Sequence, residues 1–255
     1  MASRRTRNDR NPARKISNPS QPPQFPSLQP KHGVNVHPLI EDQILFIDNI
    51  LTANECRIYS TFIDGQPLEL TPPKKKGEAD RVNYRMSVTS PEMAQRLFDL
   101  LSPHLPNFPY PGSAKRRNGP SSRPVHSMNS NIRMYKYTPG QYFGPHYDDS
   151  VHDPQTGAKS EWTLLVYLSG VEDEVKGGET VFYTTEKGKG RQTIIAPLSR
   201  GTALLHRYAY ILTYETTDSS PASVCSHGHE CLLHEGSPVI EGTKYILRSD
   251  LMFKD

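Results

Sequence analysis

Two imidazoles and one carboxylate constrain this chain more than any other feature: His146, Asp148 two residues on, and His234 a further 86 residues along. That ligand set covers one face of a divalent metal such as iron(II) and leaves the opposite positions open. In an extended segment side chains two apart share a face, so His146 and Asp148 point at one ion while Tyr147 and Asp149 turn away. The long gap means that His234 must arrive on a distant strand, which is how a closed β scaffold would complete a site.

The flanking sequence is punctuated like β structure. Residues 132–148 read as a strand, a turn at Pro139 and Gly140, and a second short strand that delivers the first two ligands. Residues 163–168 have a buried-strand pattern, and Gly177 and Gly178 open a strand that runs through Phe182. Residues 201–206 give another strand, and residues 234–248 a closing pair.

On these residues the chain resembles the 2-oxoglutarate- and iron(II)-dependent dioxygenases of the prolyl 4-hydroxylase catalytic-domain type. The motifs are Tyr137, Gly140 and Gln141 ahead of His146 and Asp148, then Gly177, Gly178, Thr180 and Phe182. His234 follows with Pro238, Val239 and, ten residues beyond it, Lys244. The likeness covers the C-terminal half, from residue 132 to residue 253. It implies that His146, Asp148 and His234 hold iron, that Lys244 pairs with the distal carboxylate of 2-oxoglutarate, and that Tyr137 hydrogen-bonds the same carboxylate.

The resemblance also implies a fold and a reaction. The fold is mainly β: a double-stranded β-helix, or distorted jelly roll, with N-terminal supporting α-helices, so α+β overall. The reaction is hydroxylation of a C–H bond, with a prolyl residue of a protein or peptide as the expected target. Dioxygen and 2-oxoglutarate are consumed, succinate and CO2 are released, and L-ascorbate rescues oxidised iron. Three protein ligands are a physical requirement, because a fourth would occupy a position that cosubstrate or oxygen needs.

Charge supports the assignment independently. A buried dicarboxylate needs a cation at its far end. Lys244 is suitably placed, but Arg248 lies four residues along the same strand and faces the same way. Arginine grips a carboxylate with two parallel hydrogen bonds, whereas lysine acts as a point charge. Either residue could be the anchor, the other meeting substrate or pairing with Asp250.

The remainder of the sequence bounds the setting. No run approaches the roughly 20 apolar residues of a membrane span. Cys56, Cys225 and Cys231 do not make a disulfide framework, and the N-terminus lacks an apolar signal region, so a reducing compartment, cytoplasmic or nuclear, is expected. Residues 1–36 carry seven Lys or Arg against Asp9, a balance of +6 in a chain whose total is +3, with six prolines. They read as a disordered basic tail: a solvated segment, an address or a nucleic-acid contact, with nucleic acid unexpected as the main partner. Residues 37–255 then form one domain, a helical support region over 37–128 and a catalytic core over 129–255.

In the support region, Thr52 and Glu55 have capping-box spacing ahead of Ile58, Tyr59, Phe62 and Ile63, and Ser90 with Pro91 starts a second helix. Arg81, Asn83 and Arg85 alternate onto one face of a possible strand and are candidate substrate contacts. Cys225, His227, His229 and Cys231 suggest zinc, but an extended stretch would spread them over about 20 Å, so a loop or lid is the plainer reading. Two other functions fit parts of the pattern. One is a 2-oxoglutarate oxygenase acting on a small molecule or nucleobase; the other is a non-catalytic metal-binding jelly-roll interaction module.

Overall fold

The computed structural model describes residues 23–110, 122–185, 191–208 and 232–254. Helix α1 is Ala53–Asp64 and α2 is Pro91–Leu101; the strands are numbered along the chain as follows. The N-terminal half holds β1 (Asn35–Ile40), β2 (Ile44–Asp48), β3 (Glu69–Leu70), β4 (Arg81–Val82), β5 (Tyr84–Thr89), β6 (Phe108–Pro109), β7 (Ser122–Arg123) and β8 (Ser127–Met128). Next come β9 (Asn131–Tyr137), β10 (Tyr142–His146), β11 (Lys159–Tyr167), β12 (Lys176–Gly177), β13 (Thr180–Thr185) and β14 (Arg191–Ala196). The chain closes with β15 (Ala203–Arg207), β16 (Leu233–Gly236), β17 (Val239–Glu241) and β18 (Lys244–Phe253).

Most of these strands, apart from two small ladders that pair β12 with β17 and β6 with β7, form two facing antiparallel sheets, a double-stranded β-helix. The larger has nine strands in the order β1-β2-β15-β11-β18-β9-β5-β3, with β8 also on β18; the smaller runs β14-β13-β16-β10-β4. The period of two along each strand sorts the larger sheet's side chains into two layers. Trp162, Leu164 and Val166 of β11, Ile132 and Met134 of β9, and Leu247 and Leu251 of β18 pack outward against the helices. The alternate residues, Leu165 and Tyr167, Tyr135 and Tyr137, and Ile246, face inward between the sheets. Lys244 and Arg248 share the inward phase of Ile246, so strand parity alone aims both cations into the interior.

The helices begin where capping chemistry allows. Thr52 Oγ1 accepts from Glu55 N at 3.2 Å while Glu55 Oε2 accepts from Thr52 N at 2.8 Å, a reciprocal box. Ser90 Oγ accepts from Met93 N at 3.2 Å and Pro91 occupies the first turn, where its missing N–H costs nothing. Tyr59 and Ile63 of α1 and Met93, Leu97 and Leu101 of α2 are buried against the larger sheet. Ile58, expected on the buried face of α1, is 46% exposed instead.

Three sequence expectations change. Residues 37–128 are not a separate helical support: β1, β2, β3 and β5 pair into the larger sheet and β4 into the smaller one. The domain begins before residue 37, because Phe25 is buried in the outer core, Leu28 and Val34 pack on it, and Lys31 Nζ pairs with Glu55 Oε1 at 2.6 Å. A few well-spaced apolar residues are enough to fasten a proline-rich segment to a preformed helix face. Phe25→Ala is therefore expected to lower unfolding free energy by about 3 kcal/mol in urea titrations; a loss under about 0.5 kcal/mol would show that this segment lies outside the cooperative unit. Third, Arg81, Asn83 and Arg85 do not share one strand, since β4 and β5 belong to different sheets and break at Asn83. Cys225, His227, His229 and Cys231 lie outside the described residues. Among the described residues no helix is long and apolar enough to cross a membrane.

Candidate active site

His146 ends β10, and the antiparallel register sets it directly opposite His234 on β16. Facing residues of paired strands hold their side chains together, and the two imidazole centroids lie 4.3 Å apart. Asp148 falls just past the strand end, its Oδ1 3.7 Å from His146 Nε2 and its Oδ2 3.8 Å from His234 Nε2. One ligand atom from each of the three lies within 4.8 Å of the others. Both rings are oriented alike: Nδ1–H of His146 donates to Gly144 O at 2.9 Å and that of His234 to Leu232 O at 3.1 Å. Each Nε2 lone pair is thereby turned to the common centre, the orientation a metal-binding histidine needs.

Burial sets the protonation states. Desolvation, reinforced by the neighbouring His234, brings the His146 pKa down to about 4. Burial likewise lowers His234. Both rings are neutral at physiological pH and available as ligands. For Asp148 burial acts the other way, but the Arg248 guanidinium, followed by the imidazoles, outweighs it and holds the carboxyl well below the usual carboxylate range. Phe143 stacks on His146 at 3.7 Å between centroids, and Phe182 lies 5.5 Å from the His234 ring, so apolar faces close the centre on two sides.

The two inward cations of β18 part company here. Arg248 Nη2 is 3.0 Å from Asp148 Oδ2 and 3.4 Å from Thr163 Oγ1, and its Nε is 3.6 Å from Asp250 Oδ1. Its charge is committed to two buried carboxylates. Lys244 lies deeper, opposite Tyr137 across the β9–β18 ladder, with Nζ 5.4 Å from the Tyr137 ring and 5.7 Å from the Tyr167 ring. Its ammonium donates to the carbonyl of Gly178, and among the described residues it has no carboxylate at ion-pair distance. Desolvation brings its pKa down to about 8, with Glu179 pulling slightly the other way. Gly178 has φ +77°, and a Cβ there would sit 3.2 Å from Lys244 Cδ, so the lysine's berth depends on glycine.

A cavity joins the triad to Lys244, lined by Tyr135, Tyr137, Leu165, Thr180 and Ile246. It opens into a groove of about 1290 Å³ walled by Arg81, Arg85, Arg133, Phe143 and Tyr147. Arg81 Cζ lies 5.2 Å from the Phe143 ring. Asn83 is buried instead, its side chain beside Tyr137.

Two residues close to the metal ligands were not anticipated. Thr163 Oγ1 donates to Asp148 Oδ2 at 2.6 Å, and His206, on β15 directly across from Thr163, has its Nε2 3.5 Å from the same oxygen. A signal existed: in the strand 203–207, Leu204 and His206 share the phase that faces the interior.

The donor set suits an iron(II) centre, since two neutral imidazoles and one carboxylate leave sites for a chelating cosubstrate. A buried ammonium lacking a counter-ion suits the far end of a dicarboxylate.

Several solved structures and one family model are similar to this chain. Solved structures similar to this chain include the viral collagen prolyl hydroxylase of Paramecium Bursaria Chlorella virus-1 in complex with 2OG, at 20% identity, covering 83% of this chain and 97% of that one with a TM-score of 0.49. A Pseudomonas putida prolyl-4-hydroxylase is 12% identical over 85% of this chain and 96% of its own, with a TM-score of 0.48. A Trichoplax adhaerens prolyl hydroxylase, solved with a hypoxia inducible factor peptide fragment, is 13% identical over 84% of this chain and 85% of its own, TM-score 0.48. No curated protein matches the sequence closely. The family model of the 2OG-Fe(II) oxygenase superfamily matches residues 132–249, a span that takes in the His146, Asp148 and His234 triad and Lys244.

Proposed function

We propose that the chain hydroxylates a C–H bond of a prolyl residue in a protein or peptide, with 2-oxoglutarate converted to succinate and CO2. The observation that carries the reading is Lys244: a buried ammonium without a carboxylate partner among the described residues, lining the same cavity as the metal triad. His146, Asp148 and His234 would hold iron(II), and Lys244, flanked by Tyr137, would hold the distal carboxylate of 2-oxoglutarate. When bound, the iron and its cosubstrate supply the oxidation that places a hydroxyl on carbon.

The chain's own residues then have distinct tasks. The neutral rings of His146 and His234 present fixed Nε2 lone pairs, and Phe143 and Phe182 keep water from their faces. Arg248 balances the buried charge of Asp148. The peptide reading is supported by the prolyl-hydroxylase-type motifs and by the open groove that reaches His146 and Asp148 and is walled by Arg81, Arg85 and Arg133.

The test is to incubate the protein with iron(II), 2-oxoglutarate, ascorbate and proline-containing peptides, and to measure succinate together with a one-oxygen mass gain on the peptide. Turnover of 2-oxoglutarate stimulated by nucleobases or metabolites but by no peptide would overturn the prolyl assignment. Arg81 and Arg85 are the proposed groove contacts. Arg85→Glu is expected to raise the KM for a peptide substrate about tenfold, about 1.4 kcal/mol of binding, while uncoupled 2-oxoglutarate decarboxylation stays at the parent rate. An unchanged peptide KM in both the Arg81→Glu and Arg85→Glu variants would remove these residues from the substrate track.

A further inference from the structure

We propose that His206 is a positioning residue of the metal centre: with Thr163 and Arg248 it forms a three-donor cradle on Asp148 Oδ2, leaving Oδ1 as the atom that binds the metal. The inference rests on the metal-site reading above.

The strands place all three donors by register. Thr163 of β11 faces His206 across the β11–β15 ladder, and the next residue of the same phase, Leu165, faces Arg248 across the β11–β18 ladder. Three neighbouring strands therefore bring one hydroxyl, one imidazole and one guanidinium to a single carboxylate oxygen. Their separations from Oδ2 are 2.6 Å for Thr163 Oγ1, 3.0 Å for Arg248 Nη2 and 3.5 Å for His206 Nε2. Oδ1 has none of these three donors and faces His146 Nε2 at 3.7 Å, while Oδ2 also lies 3.8 Å from His234 Nε2.

His206 has no competing task at that nitrogen. The residue is 2% exposed, and its Nε2 is a buried polar atom without a hydrogen-bond partner. Buried polar atoms are satisfied in nearly all native structures, so an orphan aimed into a site points to a partner supplied when the site is loaded. The ring is already held: its centroid lies 4.4 Å from that of His234, and Phe182 meets it edge-on at 5.4 Å. Rotation away from the centre would drive it into Phe182 or into the core around Leu204.

Direct ligation by His206 is the competing role. Its atoms fall outside the set of three ligands that lie mutually within 4.8 Å, and a fourth protein ligand would take a position that the cosubstrate requires. A hydrogen bond from Nε2–H to the non-ligating carboxylate oxygen needs only a small approach from 3.5 Å and leaves the open positions free. Outer contacts of this kind orient a ligating carboxylate and commonly change metal affinity by ten- to a hundredfold.

Cobalt(II) titration of the full chain, read by visible absorption and by the dissociation constant, tests this without turnover. His206→Phe keeps ring volume and removes the donor, and is expected to weaken cobalt binding about tenfold or more and to shift the ligand-field bands. His206→Gln, which restores an N–H donor but is a poor ligand, is expected to recover most of the affinity and the parent spectrum. Thr163→Val serves as a second entry to the same cradle and is expected to shift the same bands. Cobalt affinity and spectrum unchanged in His206→Phe would overturn the proposal, as would a His206→Gln variant that folds yet behaves like His206→Phe, since that outcome marks a direct ligand. Asp148→Ala separates the parent reading: if it binds cobalt as the native chain does, the triad itself is wrong and the cradle falls with it.

Discussion

Asp148→Ala and His234→Ala both eliminate iron-dependent turnover of 2-oxoglutarate, but only Asp148→Ala is expected to cost the fold several kilocalories per mole. The shared loss follows from the ligand count, because two remaining ligands neither hold the metal tightly nor fix the orientation of the open positions. The difference follows from Arg248. Its guanidinium is buried 3.0 Å from Asp148 Oδ2, and the other carboxylate in reach, Asp250, stands 3.6 Å from Nε. Removing one partner of a buried pair leaves the other charge uncompensated, a penalty of about 3–5 kcal/mol. Asp250 offsets part of that, so a loss of about 2–3 kcal/mol in urea unfolding is expected for Asp148→Ala. In His234→Ala the pair is intact and the loss should be no larger than that of an ordinary buried truncation. Equal stability of the two variants would show that Arg248 is not held by Asp148. Full activity of either at limiting iron would remove the triad.

What the sequence made legible was whatever rests on strand periodicity. His146 and Asp148 are two apart, and Lys244 and Arg248 are four apart on one strand, so their shared direction follows from the period of two without any tertiary information. The capping box at Thr52 and the Ser90–Pro91 helix start were equally local. What stayed hidden depends on which strands become neighbours. His206 sits among leucines, and an imidazole in such a run carries no mark until β15 is paired with β11 and Thr163 stands opposite it. The choice between Lys244 and Arg248 was open for the same reason. Both face inward, and only the crossing of β18 with the segment that bears Asp148 commits Arg248 to that carboxylate. Asn83 alternates correctly with Arg81 and Arg85 on paper, yet the change of sheet between β4 and β5 buries it against Tyr137. Phe25 was masked by composition, since a proline-rich basic stretch averages out the one ring that docks.

Lys244→Met raises the 2-oxoglutarate dissociation constant about ten- to a hundredfold, the worth of one charge-assisted hydrogen bond of about 1.5–3 kcal/mol. Methionine keeps most of the aliphatic volume, so packing beside Tyr137 and Tyr167 changes little. The pH dependence makes the test specific to this lysine. Burial brings its pKa down to about 8 in the free protein, whereas the unfolded chain has the ordinary lysine value. Below pH 8 the folded protein carries a desolvated ammonium at a cost in stability, and that cost lessens as pH rises from about 8 towards the unfolded pKa of about 10.4. Binding a dicarboxylate requires the charged form and favours it, so above about pH 8 binding takes up a proton and affinity falls by up to about tenfold per pH unit. Titrations with manganese(II) in place of iron, which removes turnover, should show this slope in the native chain. Lys244→Arg should flatten it, because guanidinium stays charged throughout. Arg248→Met should leave both slope and 2-oxoglutarate affinity near native at saturating metal, while weakening metal binding through Asp148. If instead Arg248→Met weakens 2-oxoglutarate binding strongly and Lys244→Met does not, Arg248 is the anchor and its pairing with Asp148 belongs only to the metal-free protein.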